Sequence, residues 1–249
     1  MANTQSPLQV LLAHEFAAET LNWDALIRAL RPASQARLAA MTAPRRRQEF
    51  VLGRALAVQL LNETVGPEAW DLLPIASGKP VAVGDSGRTH AALSISHSRG
   101  QVLCAIALTG DLGCDIEVPR GRSDASWRRL ANFNLHHPVF APDERRWILE
   151  GDSALRDERL FALWTIKEAI GKASGRGLRG RLSELAVDVA TVTAVLTERA
   201  SQSSGVAQGR TGSVVRDLHN HVVWHWQLLR VEDALVSVAA DQPLALRWR

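Results

Sequence analysis

Cysteine is scarce in this sequence: Cys104 and Cys114 are the only two in 249 residues. Two thiols cannot build a disulfide framework or a cysteine metal site. Both stand in apolar, strand-like surroundings, where a buried thiol is expected. An excess of one charge is also missing, since 29 basic and 26 acidic side chains leave a formal charge of +3. That mild balance suits a phosphate-bearing ligand or an acidic protein partner and does not demand nucleic acid. No uninterrupted apolar run is long enough to span a bilayer. The N-terminus shows no basic segment followed by an apolar run and a cleavage site. These absences lead us to expect a soluble, cytoplasmic protein with no membrane partner. What is present is apolar material, 46% of residues, enough for a substantial core. It can form one large domain or two smaller ones sharing an interface.

The hydrophobic spacing predicts a short strand at 8–13 and helices over 21–30 and 34–41, separated by Pro32. Pro44 opens a longer helix whose buried side is supplied by Phe50, Leu52, Leu56, Leu60 and Leu61. Arg54 lies inside its apolar portion, where burial demands an anionic partner, either a ligand or an acid such as Glu49 or Glu63. Residues 74–80 read as a turn in which Gly78 allows close backbone approach. Two strands, 91–96 and 102–108, flank a turn at His97–Gly100, and a third strand follows at 114–118. Helices are expected around 127–133, 142–150 and 157–174, then strands at 184–189 and 191–196. After a polar loop at 198–213, a closing hairpin turns at Glu232-Asp233. It echoes the earlier hairpin, which suggests two related halves, 1–112 and 113–249.

Three acids and several bases carry the chemistry. Asp115 and Glu117 alternate on one face of a strand while Ile116 points to the core. Two adjacent carboxylates raise each other's pKa unless a cation sits between them, and magnesium suits such oxygen ligands together with phosphates. Trp164, Glu168 and Lys172 recur every four residues on one helical face. Alone, the last two describe a weakly stabilising ion pair on a solvated helix. If Glu168 faces Asp115 and Glu117, three carboxylates converge. Ser96, His97, Ser98 and Arg99 offer donors to an anion, and Gly78-Lys79-Pro80 offers an exposed backbone and a cation. Arg54, Lys167, Lys172 and the glycine-rich loop GRGLRGR at 175–181 add positive charge. Acids for a metal and bases for phosphates describe a metal–phosphate site. The competing reading is a non-catalytic nucleotide- or nucleic-acid-binding module using Arg45–Arg47 and GRGLRGR, in which three converging acids would repel a polyanion.

GRALAVQLL, GKP, SISHS, GCDIE and WTIKEAIGKASGRGL follow one another between residues 45 and 180. In that order they closely resemble the 4′-phosphopantetheinyl transferases of the Sfp type. The resemblance implies an α+β pseudo-dimer, monomeric in chain number, of two similar halves that each pack a small antiparallel sheet with helices. The first half would form the adenine and 3′-phosphate side of a coenzyme A site, the second the metal and pyrophosphate side. It implies transfer of phosphopantetheine from coenzyme A to a serine of an apo acyl or peptidyl carrier protein, with release of 3′,5′-ADP. Nucleic acid is then not a partner. Asp115, Glu117 and Glu168 match the family's Mg2+ ligands, and Lys172 its pyrophosphate-side lysine. Ser96 and His97 match residues near the phosphates, and Gly78, Lys79 and Pro80 the adenine-side loop. Either Glu168 or a metal-bound water would take the serine proton. The carrier would be an acidic helical domain drawn to arginines such as Arg122, Arg128, Arg129 and Arg176. Two departures are visible: Cys114 precedes the aspartate where a β-branched residue is usual, and only Arg37 stands where relatives have a basic pair. Glu144 matches an F-x-x-x-E acid of the family.

Overall fold

The structure is a computed structural model that describes residues 7–18, 20–75, 78–88, 91–119, 139–150, 153–177, 182–197, 210–211, 215–216 and 222–249. The expected helix at 127–133, Arg122, Arg128 and Arg129, residues 178–181 of the basic loop and residues 198–209 of the polar loop lie outside them. The chain is α+β, as its sequence leads one to expect.

The first sheet has the order β12-β1-β6-β5, formed by Leu244–Trp248, Leu8–Phe16, Gln101–Ala107 and Ala92–Ser98. β12 comes from the C-terminal end of the chain and lies parallel to β1, with Leu8 opposite Leu244. The other pairings in this sheet are antiparallel. The second sheet runs β7-β11-β10-β8, formed by Leu112–Glu117, Ala234–Ala240, Val223–Val231 and Arg210–Thr211, with β9 (Val215–Arg216) also paired to β10. A small third sheet joins β2 (Asp71–Pro74), β3 (Pro80–Gly84) and β4 (Gly87–Arg88), none of which the hydrophobic pattern announces.

Each large sheet has a strand buried on both faces, which is why β6 and β11 are apolar throughout their length apart from Gln101 and Ser237. Val102, Cys104 and Ile106 of β6 pack on Leu52, Leu56, Leu60 and Leu61 of helix α3 (Pro44–Thr64), here counted after α1 (Trp23–Arg28) and α2 (Pro32–Ala39). The alternate residues Leu103, Ala105 and Ala107 meet Val236, Val238 and Ala240 of β11. On its far side β11 turns Leu235 and Ala239 toward a helix of the second half that includes Ile166, Ala169 and Ile170. That helix, α5 (Ser153–Ala173), follows the short α4 (Pro142–Leu149), and both α3 and α5 are 21 residues long. The layers therefore run helix, sheet, sheet, helix. Both central hairpins have two-residue turns whose first residue, Arg99 or Glu232, has a φ of 54°. Gly100, at φ 88°, completes the first of these turns without the steric cost a side chain would bring.

Two expectations need correction. The segments 184–189 and 191–196 are not strands: Leu182–Glu184 is a 3-10 turn and Val189–Thr197 is helix α6. Its β-branched run favours a strand locally, but Asp188 caps the helix by accepting from Ala190 N and Thr191 Oγ1 at 3.1 and 2.6 Å. Val192, Val195 and Leu196 then fall on one buried stripe, so tertiary packing overrides the residue preference. His97 likewise belongs to strand β5 rather than to the turn, which is confined to Arg99-Gly100.

Candidate functional site

β7 uses one edge to pair with β11, and its other edge faces β5 without being its neighbour in either sheet. Serines bridge that seam. Cys114 N donates to Ser94 Oγ at 2.9 Å, and Val118 N donates to Ser98 Oγ at 3.3 Å. Between these rungs, Ser96 Oγ donates to Asp115 Oδ1 at 2.6 Å, and Ser98 Oγ donates to Glu117 Oε2 at 2.7 Å. The alternation of SISHS that puts three serines on one side of β5 thus satisfies an edge strand and holds two carboxylates.

Helix α5 reaches the seam because of Gly113. A Cβ there would lie 2.0 Å from the Ala169 carbonyl oxygen and 2.5 Å from Ala173 N, so only glycine lets the helix rest on the strand. This approach sets Lys172 over Asp115. Lys172 Nζ donates to Asp115 Oδ1 at 2.7 Å, to Ser96 Oγ at 2.8 Å and to the Cys114 carbonyl at 3.1 Å. Burial opposes the ammonium, but Asp115 and Glu168 outweigh it, and the Lys172 pKa is raised. Asp115 is 5% exposed, and its second oxygen, Oδ2, is buried without a hydrogen-bond partner. Such an atom costs free energy unless something charged or donating approaches it.

Glu168 sits one helical turn before Lys172 on the same face of α5. Burial, then the Asp115 carboxylate, push its carboxyl up to about 7; Lys172 opposes this shift and Glu117 adds a smaller push. The three acids are therefore electrostatically coupled. Among the described residues, no three His, Cys, Asp or Glu side chains form a ready metal-holding group, and the Lys172 ammonium is the cation on Asp115.

Ser96 and His97, matched together by the resemblance, face opposite sides of β5. His97 Nδ1 stands 3.0 Å from Glu49 Oε2 and 3.0 Å from Arg46 Nη1. Burial and Arg46 lower its pKa, so the ring is neutral at pH 7 and Nδ1 either accepts from Arg46 or donates to Glu49. Glu49 is itself 6% exposed, accepts from Gly100 N at 2.9 Å and lies 3.3 Å from Arg45 Nε. Sequence reading offered Glu49 only as a partner for Arg54. Its position three and four residues after Arg46 and Arg45 was the available signal for its real role.

Arg54 forms no pair with Glu49 or with Glu63, whose carboxylate instead lies 3.2 Å from Arg247 and 3.1 Å from Arg249. Arg54 is 7% exposed, and its guanidinium stacks 4.3 Å from the Phe50 ring centroid, with Nε lacking a hydrogen-bond partner. Burial, then Arg37, lower its pKa to about 10. Gly78 adopts φ 85° and Pro80 opens β3, while Lys79 Nζ donates to the Ala173 carbonyl at 3.3 Å, tying that loop to the end of α5.

Lys167 is not part of a phosphate-facing cation set. It is fully buried and donates to Glu144 Oε2 at 2.7 Å and to the Leu182 and Leu185 carbonyls at 2.8 Å each. Glu144 also accepts from Ala141 N at 2.7 Å and Val187 N at 3.0 Å. Lys167 and Lys172, five residues apart, leave α5 on different faces, which sets this cage apart from the site.

A half-buried lysine on a carboxylate at a seam between two sheets, with two further acids coupled to it, is a site suited to polar, phosphate-bearing chemistry. Residues 111–239 match the model of the 4′-phosphopantetheinyl transferase superfamily, a span that starts at β7 and includes α5. The chain belongs to that superfamily. It is 28% identical over 172 residues to the 4′-phosphopantetheinyl transferase HetI of a Nostoc species, covering 68% of this chain and 65% of that protein. It is also 35% identical over 133 residues to the 4′-phosphopantetheinyl transferase AcpT of Escherichia coli O157:H7, covering 52% of this chain and 59% of the other. The matched stretches thus span less than two thirds of these relatives' lengths. No helix among the described residues is long and apolar enough to cross a membrane.

Proposed function

We propose that this protein is a transferase of the Sfp type, which moves 4′-phosphopantetheine from coenzyme A to a serine of an apo carrier protein. The observation that carries the reading is the cluster of Lys172, Asp115 and Ser96 at 2.6 to 2.8 Å, next to an acid raised to about 7, in a chain of this superfamily. The repeated hairpin and the two helices of equal length support a pseudo-dimer of halves 1–112 and 113–249, with the seam between β5 and β7 as the binding cleft.

Asp115, Glu117 and Glu168 would hold Mg2+. The donor set fits: Asp115 Oδ2 has no partner, and Glu168 is disfavoured as an anion by burial and its acidic neighbours until a cation arrives. Bound there, the ion would neutralise charge on the pyrophosphate. In the reaction the serine oxygen forms a bond to the β-phosphorus of coenzyme A, and the bond from that phosphorus to the bridging oxygen breaks. The bridging oxygen leaves with 3′,5′-ADP. Glu168, beside the cluster, would take the serine proton as general base. Lys172 keeps its proton and stabilises negative charge on the departing nucleotide. Arg54 and His97 would face the 3′-phosphate, and Gly78, Lys79 and Pro80 the adenine. An acidic acyl or peptidyl carrier is the acceptor, recognised by basic residues that include Arg176, and the working form is a cytoplasmic monomer.

Incubation with coenzyme A, Mg2+ and a panel of apo carriers, followed by intact mass, tests the reading. The carrier should gain one phosphopantetheine group with stoichiometric 3′,5′-ADP. No mass gain with any acyl or peptidyl carrier would contradict it.

A further inference from the structure

Among the three serines of β5, Ser98 is unlike the other two. Ser94 accepts from a backbone N–H of β7 and touches no acid, and Ser96 shares its contact with Lys172. The Ser98 hydroxyl, 8% exposed as a residue, uses its proton on Glu117 Oε2 at 2.7 Å and its lone pair on Val118 N at 3.3 Å. It therefore fixes a carboxylate and the peptide that follows it with a single oxygen. Glu117 is the last residue of β7, beyond which pairing to β11 ends.

We propose that Ser98 is a positioning residue that orients Glu117 toward the divalent cation, and does so beyond its share in closing the seam. This rests on the reading that Asp115, Glu117 and Glu168 hold a metal. A hydrogen bond donated to one oxygen of a ligating carboxylate fixes its rotation, and loss of such partners lowers metal affinity about 10- to 100-fold. Ser94 supplies the control. Its hydroxyl makes the same kind of rung, to Cys114 N, without contacting a carboxylate. A purely structural part for Ser98 would make Ser94→Ala and Ser98→Ala behave alike.

The test is titration of the full chain with Mn2+ in the presence of coenzyme A and without carrier, following free Mn2+ by its electron paramagnetic resonance signal. Ser98→Ala should weaken Mn2+ binding about tenfold. Ser94→Ala should change it by less than about twofold, and Ser98→Thr, which keeps the hydroxyl, should restore most of the affinity. Equal affinity of Ser98→Ala and the unaltered protein would overturn the assignment, as would equal losses in the two alanine variants. No Mn2+ binding by the unaltered protein would instead overturn the metal reading, and this assignment with it. If Ser98→Ala does not fold, Ser98→Cys, nearly equal in size but a weak donor, takes its place with the same expected loss.

Discussion

Lys167 and Lys172 leave the same helix five residues apart and end in opposite circumstances. Around Lys167 every donor has an acceptor, and Glu144 is held by two backbone N–H groups besides. At the seam, Lys172 also meets three acceptors, but Asp115 Oδ2 remains unpaired and the neighbouring Glu168 is destabilised as an anion. A complete cage is the mark of an ion pair that holds structure. An incomplete one, partly open to solvent, leaves unsatisfied polar capacity for a ligand. Charge and position in the motif are alike for the two lysines; what separates them is whether the surrounding polar groups are already satisfied.

The sharpest way to break the comparison is to remove each lysine. Lys167→Ala leaves Glu144 as an uncompensated buried charge, so stability should fall by about 3–5 kcal/mol, read by urea unfolding. Lys172→Ala should leave the fold in place and lower phosphopantetheine transfer on the order of 100-fold. Equal stability losses in the two variants would erase the distinction.

Glu168 sharpens it through pH. Its pKa rises from 4.5 to about 7 on folding, so the folded chain binds this proton more tightly than the unfolded chain does. Its favourable contribution is complete below the unfolded value and is lost as pH climbs through the folded one. In chelator-treated protein, stability should drop by on the order of 3 kcal/mol between about pH 4 and about pH 8, and Glu168→Gln should flatten that slope. A pH profile unchanged by Glu168→Gln would remove the coupling. A smaller effect is expected at His97, which touches Glu49 and Arg46 rather than the acid cluster. His97→Ala should lower kcat/KM about 10- to 100-fold with coenzyme A and much less with dephospho-coenzyme A. Equal losses with both substrates would place its action away from the 3′-phosphate.

Much of the seam was legible because its periodicities are short. The two-residue repeat of a strand separates Asp115 and Glu117 from Ile116, and the four-residue repeat of a helix aligns Trp164, Glu168 and Lys172. What joins those elements was not legible. Gly113 looks like any turn glycine until the Ala169 carbonyl lies against it. Lys167 reads as one more cation for a phosphate because its partners, Glu144, Leu182 and Leu185, come from two distant segments. The strand-like composition of Val189–Thr197 yields to a cap at Asp188 and to a buried stripe that packs with α5 and β10. Arg54 shows a different gap: burial asked for an anion, neither Glu49 nor Glu63 supplies it within the chain, and the guanidinium stacks on Phe50 instead, a contact that the spacing did not announce.

The account rests most directly on Asp115, the acid that meets serine, lysine and an unfilled position at once. Transfer to an apo carrier by Asp115→Ala, measured by intact mass beside its thermal unfolding, puts that to the test. The expected result is a cooperatively folded protein whose transfer rate has fallen about 100-fold or more. Transfer at the unaltered rate, in protein freed of divalent metal, would contradict it.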